Sequence, residues 1–293
     1  MGVQIRVVLY AESEERARAA ATAAIARIDA LDGVLSDYQV DSETARLVQA
    51  RGPLRVSADL FDVLERALRF AEATEGAFDP TVGPLVKLWR EARRTRVLPD
   101  SKALAAALAQ VGPENVRLDP EARSVALLGG GTTLDFGGIG KGYALDQAMQ
   151  AARASGVTRV LFQFGGDILA GDAPPDTSGW KVEIETGATG MVLLENAAVS
   201  TSGDTEQFVE IDGVRYSHIV DPKSGLGLTT RSRATVVARD AATADALSTA
   251  FCVVGVQGAA RLAFRFRGIG VAVDQASGPS FRTPNFPRPA RLP

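Results

Sequence analysis

Two hydrophobic periods divide this chain, and the switches between them mark its elements. Residues 3–10 alternate as a strand, and an alanine-rich helix follows over 13–31 with Ser13 as its N-cap. The start Ser42-Glu43-Thr44 predicts a short capped helix, and 57–75 a second amphipathic helix closed by Gly76. Asp79-Pro80 and Gly83-Pro84 signal turns before a helix resumes at Leu85, Leu88 and Trp89. Residues 92–100 read as a polar surface excursion and 101–111 as another helix. Residues 116–118, 124–128 and 132–136 predict antiparallel strands, the last running into a glycine-rich loop (Gly137, Gly138, Gly140, Gly142) that carries Lys141 and opens a helix to Ala154. Strands 159–164, 180–185, 191–194 and 197–200 extend one sheet, and Asp212-Gly213 joins 207–211 to 214–216 as a hairpin. A strand at 233–238 precedes a helix over 241–255 capped by Asp240. Residues 277–293, with five prolines, predict an extended or poorly ordered tail.

Composition changes this picture little. With 293 residues, 46% hydrophobic and 23% charged, the chain can bury one large core or two lobes. A net charge of -3 leaves no footprint for nucleic acid or an anionic membrane, so any phosphate binding must be local. The single cysteine, Cys252, excludes a disulfide framework and a cysteine-built metal site. No segment reads as a membrane span, and the first residues are too short and strand-like for a signal peptide.

Candidate chemistry falls on a few stretches. Glycines free backbone amides to face an anion, a helix N-terminus adds partial positive charge and Lys141 adds a full one, so 137–142 reads as a phosphate cradle. The spacing fits neither G-x-x-x-x-G-K-[ST] nor G-x-G-x-x-G, and a tight turn needing positive φ accounts for the glycines as well. Ser36 and Tyr38 occupy a loop that could meet a ligand, or serve as turn residue and core filler. Gly165-Gly166-Asp167 ends a strand where backbone could approach a ligand, and Thr201-Ser202-Gly203 reads as a hydroxyl-rich turn. His218, the only histidine, is either a satisfied polar residue or a catalyst, with Asp221 three residues on. Asp245 and Thr249 stack on one helix face, as two hard oxygen ligands for a cation or as part of a solvated polar face.

The blocks LSDYQVDSE, FDPTVGPLVKLW, LDFGGIGKGYALD, FGGDILAG, VSTSGD, YSHIVDPKSG and ADALSTA, in this order from Met1-Gly2 to about Gly255, resemble those of the FAD:protein FMN transferases, or ApbE-like proteins. The resemblance implies an α+β fold, T-fold-like, of antiparallel sheets and packed helices. Residues 1–276 would form one unit of two intertwined lobes around a flavin cleft, followed by the tail 277–293. It implies magnesium-dependent transfer of FMN from FAD to a threonine hydroxyl of an acceptor protein, with release of AMP. By similarity, Asp245, Thr249 and the Gly140 carbonyl hold magnesium, although the family usually has alanine at 140. Lys141 faces the flavin-side phosphate, and His218, with Asp221, serves the incoming threonine as base or orienting group. Met1, Ser36, Tyr38, Asp79, Gly138, Lys141, Gly166, Asp167, Thr201, Ser202, His218 and Ile219 are assigned to the FAD site; Thr205 stands where an aromatic is common.

The same site with water as acceptor makes a magnesium-dependent FAD pyrophosphatase, and without turnover a flavin-binding protein. Thr186-Gly187-Ala188-Thr189 resembles the threonine motif of acceptors and permits self-flavinylation at Thr189. The resemblance is compatible with a monomer or homodimer. It places the chain outside the cytoplasmic membrane if a leader was removed, and in the cytoplasm otherwise.

Overall fold

The computed structural model describes residues 4–184, 190–203 and 207–288; Met1, Thr205 and the 186–189 motif lie outside the described residues. The chain begins with β1 (Ile5–Tyr10), α1 (Glu14–Leu35), α2 (Glu43–Gln49), β2 (Leu54–Arg55), α3 (Ala58–Ala73), α4 (Gly83–Thr95) and α5 (Ser101–Leu108). There follow β3 (Val116–Asp119), β4 (Ser124–Leu127), α6 (Gly140–Ala154), β5 (Arg159–Phe164), β6 (Asp167–Ala170), β7 (Trp180–Ile184), β8 (Gly190–Leu194) and β9 (Ala197–Gly203). The last elements are β10 (Phe208–Ile211), β11 (Val214–Ser217), β12 (Ser232–Ala238), α7 (Ala241–Ala263), β13 (Gly270–Gln275) and β14 (Phe281–Arg282).

Capping fixes the helix starts where the sequence placed them. Ser13, Ser42, Ser57 and Asp240 each accept a backbone N–H three residues on, satisfying an orphan donor of the first turn. The Asp212-Gly213 turn has φ of 52° and 76°, the left-handed pair that a two-residue hairpin needs.

Seven strands form one antiparallel sheet in the order β1-β5-β6-β9-β12-β13-β14. Strand alternation gives the sheet two apolar faces. One face packs on α1, α6 and α7 through Phe162, Phe164, Ala234, Val236, Tyr143, Leu247 and Phe251. The other, with Ala170, Val199 and Ala272, is covered by Trp180, Val182, Val192 and Leu194 of β7 and β8 and by Phe286. A third cluster joins Leu85 and Trp89 of α4 to Val209 and Ile211 of β10 and to Val220.

Five expectations change. Residues 132–136 are not a strand: Thr132, Leu134 and Phe136 are buried in alternation, which mimics strand periodicity, but only a bridge from Thr133 to Val82 forms. Strands β7 and β8 pair with each other as a separate sheet, because they cover the main sheet rather than extend it. Thr201-Ser202-Gly203 is no turn, since β9 runs through it paired to β12. Helix α4 continues to Thr95, so the polar excursion starts later than residue 92. Phe281–Arg282 adds an edge strand and Phe286 is buried, so this part of the proline-rich segment is held by the sheet.

Helix α7 is, among the described residues, the one helix long and apolar enough to cross a membrane, which the sequence reading missed. Its most apolar window is 56% buried among the core helices and β9, β12 and β13, and Gly255, at φ 58°, kinks it.

Candidate active site where helices α6 and α7 meet the sheet

Helices α6 and α7 cap each other. Ile139 offers α6 no side-chain cap, and the Gly142 N–H donates instead to Asp245 Oδ2 of α7 at 3.0 Å. In return Asp146 of α6 accepts from the Ala241 and Ala242 N–H groups that open α7, at 2.7 and 3.0 Å. Each carboxylate meets the positive end of the other helix. The exchange requires the backbones to come close, and Gly142 permits it: a Cβ there would stand 2.2 Å from the Ala241 carbonyl oxygen.

This crossing delivers Lys141 to two carboxylates. Its Nζ lies 2.8 Å from Asp167 Oδ2, at the start of β6, and 3.1 and 3.3 Å from the two oxygens of Asp245. Both aspartates are buried, whereas Lys141 keeps partial access to solvent. Asp245 is therefore not on a solvated face. Burial opposes its charge and the Asp167 carboxylate adds to that, so its carboxyl is raised well above the ordinary range despite Lys141 and the Gly142 N–H. Burial also works against the charged Lys141, but Asp167 and Asp245 outweigh it and hold the ammonium protonated.

Hydroxyls extend the cluster. On β9 the alternation turns Ser200 and Ser202 toward α7: Ser200 Oγ donates to Asp167 Oδ1 and lies 3.0 Å from Ser248 Oγ, and Ser202 Oγ lies 2.7 Å from Ser248 Oγ and 3.4 Å from Thr249 Oγ1. Thr201, by the same alternation, points to the other face and meets Thr235 Oγ1 at 2.8 Å, so it is not brought into the cluster. Gly138 passes so close that a Cβ would stand 3.0 Å from Thr249 Oγ1 and 3.2 Å from Phe78. Gly166 faces the Thr201 backbone, where a Cβ would approach the carbonyl oxygen to 2.8 Å.

The remaining candidates sit further out. His218 Nδ1 lies 3.0 Å from the Gln207 carbonyl oxygen. A carbonyl only accepts, so the neutral ring carries its proton on Nδ1 and leaves Nε2 as the basic nitrogen. Both carboxylate oxygens of Asp221 accept hydrogen bonds within its own turn, from Lys223 N and Ser224 Oγ. Ile219 is buried and its N–H donates to Ser217 Oγ. Asp79, also buried, accepts from the Thr81 N–H and hydroxyl, and burial raises its carboxyl. Ser36 is a turn residue, its Oγ accepting from the Tyr38 and Gln39 amides. Tyr38 stands exposed beside Arg90 and is not core filler.

Sequence reasoning missed Ser200 and Ser248. Both lie in the quoted blocks, but their roles depend on which strand neighbours which helix.

The cluster fits a cation. Lys141 carries one positive charge against two buried carboxylates, and no partner other than Lys141 reaches Asp167 Oδ2 among the described residues. Oxygen donors of this kind suit magnesium, which takes one or two carboxylates and keeps sites for water and phosphate. Among the described residues no group of three His, Cys, Asp or Glu side chains gathers, so a cation would need hydroxyl, carbonyl or substrate oxygens besides.

Fold and site together define a class: an antiparallel α+β protein with a lysine held by two buried aspartates where two core helices cap one another. Comparison with known proteins then narrows it. Residues 1–273 match the ApbE family, and the chain belongs to it. It is 31% identical over 296 aligned positions to an FAD:protein FMN transferase of Klebsiella pneumoniae, covering 97% of this chain and 84% of that one. It is 36% identical over 258 positions to the protein of the same name from Treponema pallidum, covering 80% and 71%. Among solved structures, the ApbE protein of Thermotoga maritima superposes with a TM-score of 0.87 at 29% identity, covering 97% of this chain and 94% of that one. Flavin transferase ApbE from Vibrio cholerae gives 0.86 at 27% identity, covering 98% and 95%.

Proposed function

We propose that this chain transfers the FMN moiety of FAD to a threonine hydroxyl of an acceptor protein and releases AMP, with magnesium required. The observation that carries this reading is the meeting of Lys141, Asp167 and Asp245, brought from three distant segments to within 3.3 Å, in a chain of the ApbE family. The reaction exchanges one phosphorus–oxygen bond for another. The threonine oxygen attacks the flavin-side phosphorus, the bond to the bridging oxygen breaks, AMP leaves with the electron pair, and the hydroxyl proton is taken up by a base.

Positioning and charge neutralisation do most of the work in such transfers. Asp245, the Thr249 hydroxyl and the Gly140 carbonyl would hold magnesium, which supplies charge neutralisation at the pyrophosphate when bound. Lys141 turns part of its charge to the phosphate oxygens while the aspartates keep it protonated. The glycine loop lets that pyrophosphate approach the backbone, since Gly138 adds no side chain beside Thr249. His218 Nε2 is the base for the threonine proton, its tautomer set by the Gln207 carbonyl. Ser200, Ser202 and Ser248 hold Asp167 and Thr249 in register.

The test is incubation with FAD, magnesium and a threonine-motif acceptor, reading AMP release and acceptor mass together. AMP release with a matching FMN gain on the acceptor supports the transfer. AMP and free FMN with no mass gain would make the chain a pyrophosphatase, and intact FAD would leave only a binding protein. A gain of FMN mass on the protein itself, traced to Thr189, would reveal self-modification.

A further inference from the structure

Arg90, on α4, ties the loop after α1 to the segment that leads into the glycine loop. Its Nη1 bonds Asp37 Oδ2 at 2.6 Å, its Nη2 bonds Asp135 Oδ2 at 3.1 Å, and its Cζ lies 4.1 Å from the centre of the Tyr38 ring. A guanidinium is planar, so its edge can meet carboxylates while its face lies on an aromatic ring. Asp37 and Tyr38 belong to the loop after α1; Asp135 Oδ1 accepts the Gly137 N–H at 2.7 Å, at the start of the glycine loop. One side chain therefore fixes the loop at 36–40 relative to the phosphate cradle. The base of the clamp is rigid, because the neighbouring Trp89 is buried and donates through Nε1 to the Gly225 carbonyl at 2.8 Å. One turn on, Arg93 reaches Gln207, whose carbonyl meets His218.

Tyr38 is 73% exposed although Arg90 lies on one face of its ring. An aromatic side chain held by a buried-edged cation and open on its other face has no packing reason to stand there. It does have the form of a stacking surface, tied through Arg90 and Asp135 to the start of the glycine loop.

We propose that Arg90 is a positioning residue that holds the Tyr38 ring as a fixed surface on which a planar ring of the dinucleotide substrate stacks. The stacking partner rests on the proposed use of FAD; the clamp itself does not. Arg90 acts through Tyr38, so its loss weakens substrate binding and leaves the chemical step alone.

Two measurements on Arg90→Ala, Arg90→Lys, Tyr38→Ala and the Arg90→Ala/Tyr38→Ala double variant test this. Without ligand, hydrogen exchange over residues 36–41 should quicken about tenfold in Arg90→Ala and less in Arg90→Lys, which keeps the charge but not the planar fork. With FAD and magnesium, KM for FAD should rise about tenfold in Arg90→Ala with kcat within about twofold, Tyr38→Ala should match it, and the double variant should be no worse than Tyr38→Ala. Unchanged exchange, a fall in kcat at constant KM, or additive effects in the double variant would overturn the proposal. A wild-type protein that neither binds nor cleaves FAD would overturn the stacking partner together with the functional reading, whereas faster exchange in Arg90→Ala would still support the clamp.

Discussion

Replacing Gly142 by alanine should damage fold and site together, and replacing Gly140 should not. At 142 the added Cβ would stand 2.2 Å from the Ala241 carbonyl oxygen and 2.8 Å from the Ala242 Cα. Ordinary contacts begin near 3.4 Å, so the helices must part by about 1 Å, and no rotamer relieves a clash with backbone. Overpacking of this kind costs about 1–3 kcal/mol. A displacement of about 1 Å also breaks the 3.0 Å bond from Gly142 N to Asp245, adding about 1 kcal/mol or more for a buried carboxylate that loses a donor. The sum, about 3 kcal/mol, should lower the urea midpoint by roughly 1 M. At 140 the nearest atoms to a Cβ are Phe136 Cβ at 3.4 Å and Leu35 Cδ1 at 3.8 Å, which is ordinary packing. Gly140→Ala should therefore be neutral or stabilising by up to about 1 kcal/mol. Urea unfolding of both variants, followed by AMP release from FAD, checks the reasoning. An unchanged midpoint in Gly142→Ala, or equal losses at both positions, would refute the close approach of α6 to α7.

Three further outcomes are expected. Lys141→Met leaves two buried carboxylates without their cation and should cost about 3 kcal/mol in metal-free protein; magnesium should restore part of the lost thermal stability, and no recovery would speak against a cation at Asp245. Burial raises the Asp146 carboxyl from its ordinary 3.8 to about 6, against the two backbone N–H groups that favour its charge. The folded protein thus holds this proton more tightly than the unfolded chain, so the contribution is complete below the unfolded value and is lost as pH rises through about 6. In Asp146→Asn, denaturation across that window should show a flatter fall in stability with pH than the wild type. His218→Ala should lower transfer to an acceptor about 100-fold or more with FAD binding nearly unchanged, read by acceptor mass and flavin fluorescence.

How much of this was legible in the sequence depends on whether a signal is local. Caps are local, and Ser13, Ser42, Ser57 and Asp240 each start a helix as their residue types require. The Asp212-Gly213 hairpin is local too. The alternation of 132–136 was visible but ambiguous, because burial on one side of an extended segment gives the same period whether or not a strand partner exists. Strand order was not legible. The pairing of β9 between β6 and β12 decides that Ser200 and Ser202 face α7 while Thr201 faces away, and nothing within the block VSTSGD states which neighbour it has. Lys141, Asp167 and Asp245 were each singled out from their own stretch and then gathered by family resemblance. That they share one ion-pair cluster follows only from the α6–α7 crossing. The part of Arg90 was hidden because its partners come from residues 37, 38 and 135, far apart in the chain.

In the proposed reaction Asp245, gripped by α6 and held beside Lys141, organises cleavage of a dinucleotide pyrophosphate. The most direct test of that role is the rate of AMP release from FAD by Asp245→Asn, a substitution that keeps shape and the bond from Gly142 N, at saturating FAD over a magnesium titration. The expected result is a fall of at least about 100-fold with little change in unfolding midpoint. Wild-type rates and an unaltered magnesium dependence in that variant would contradict it.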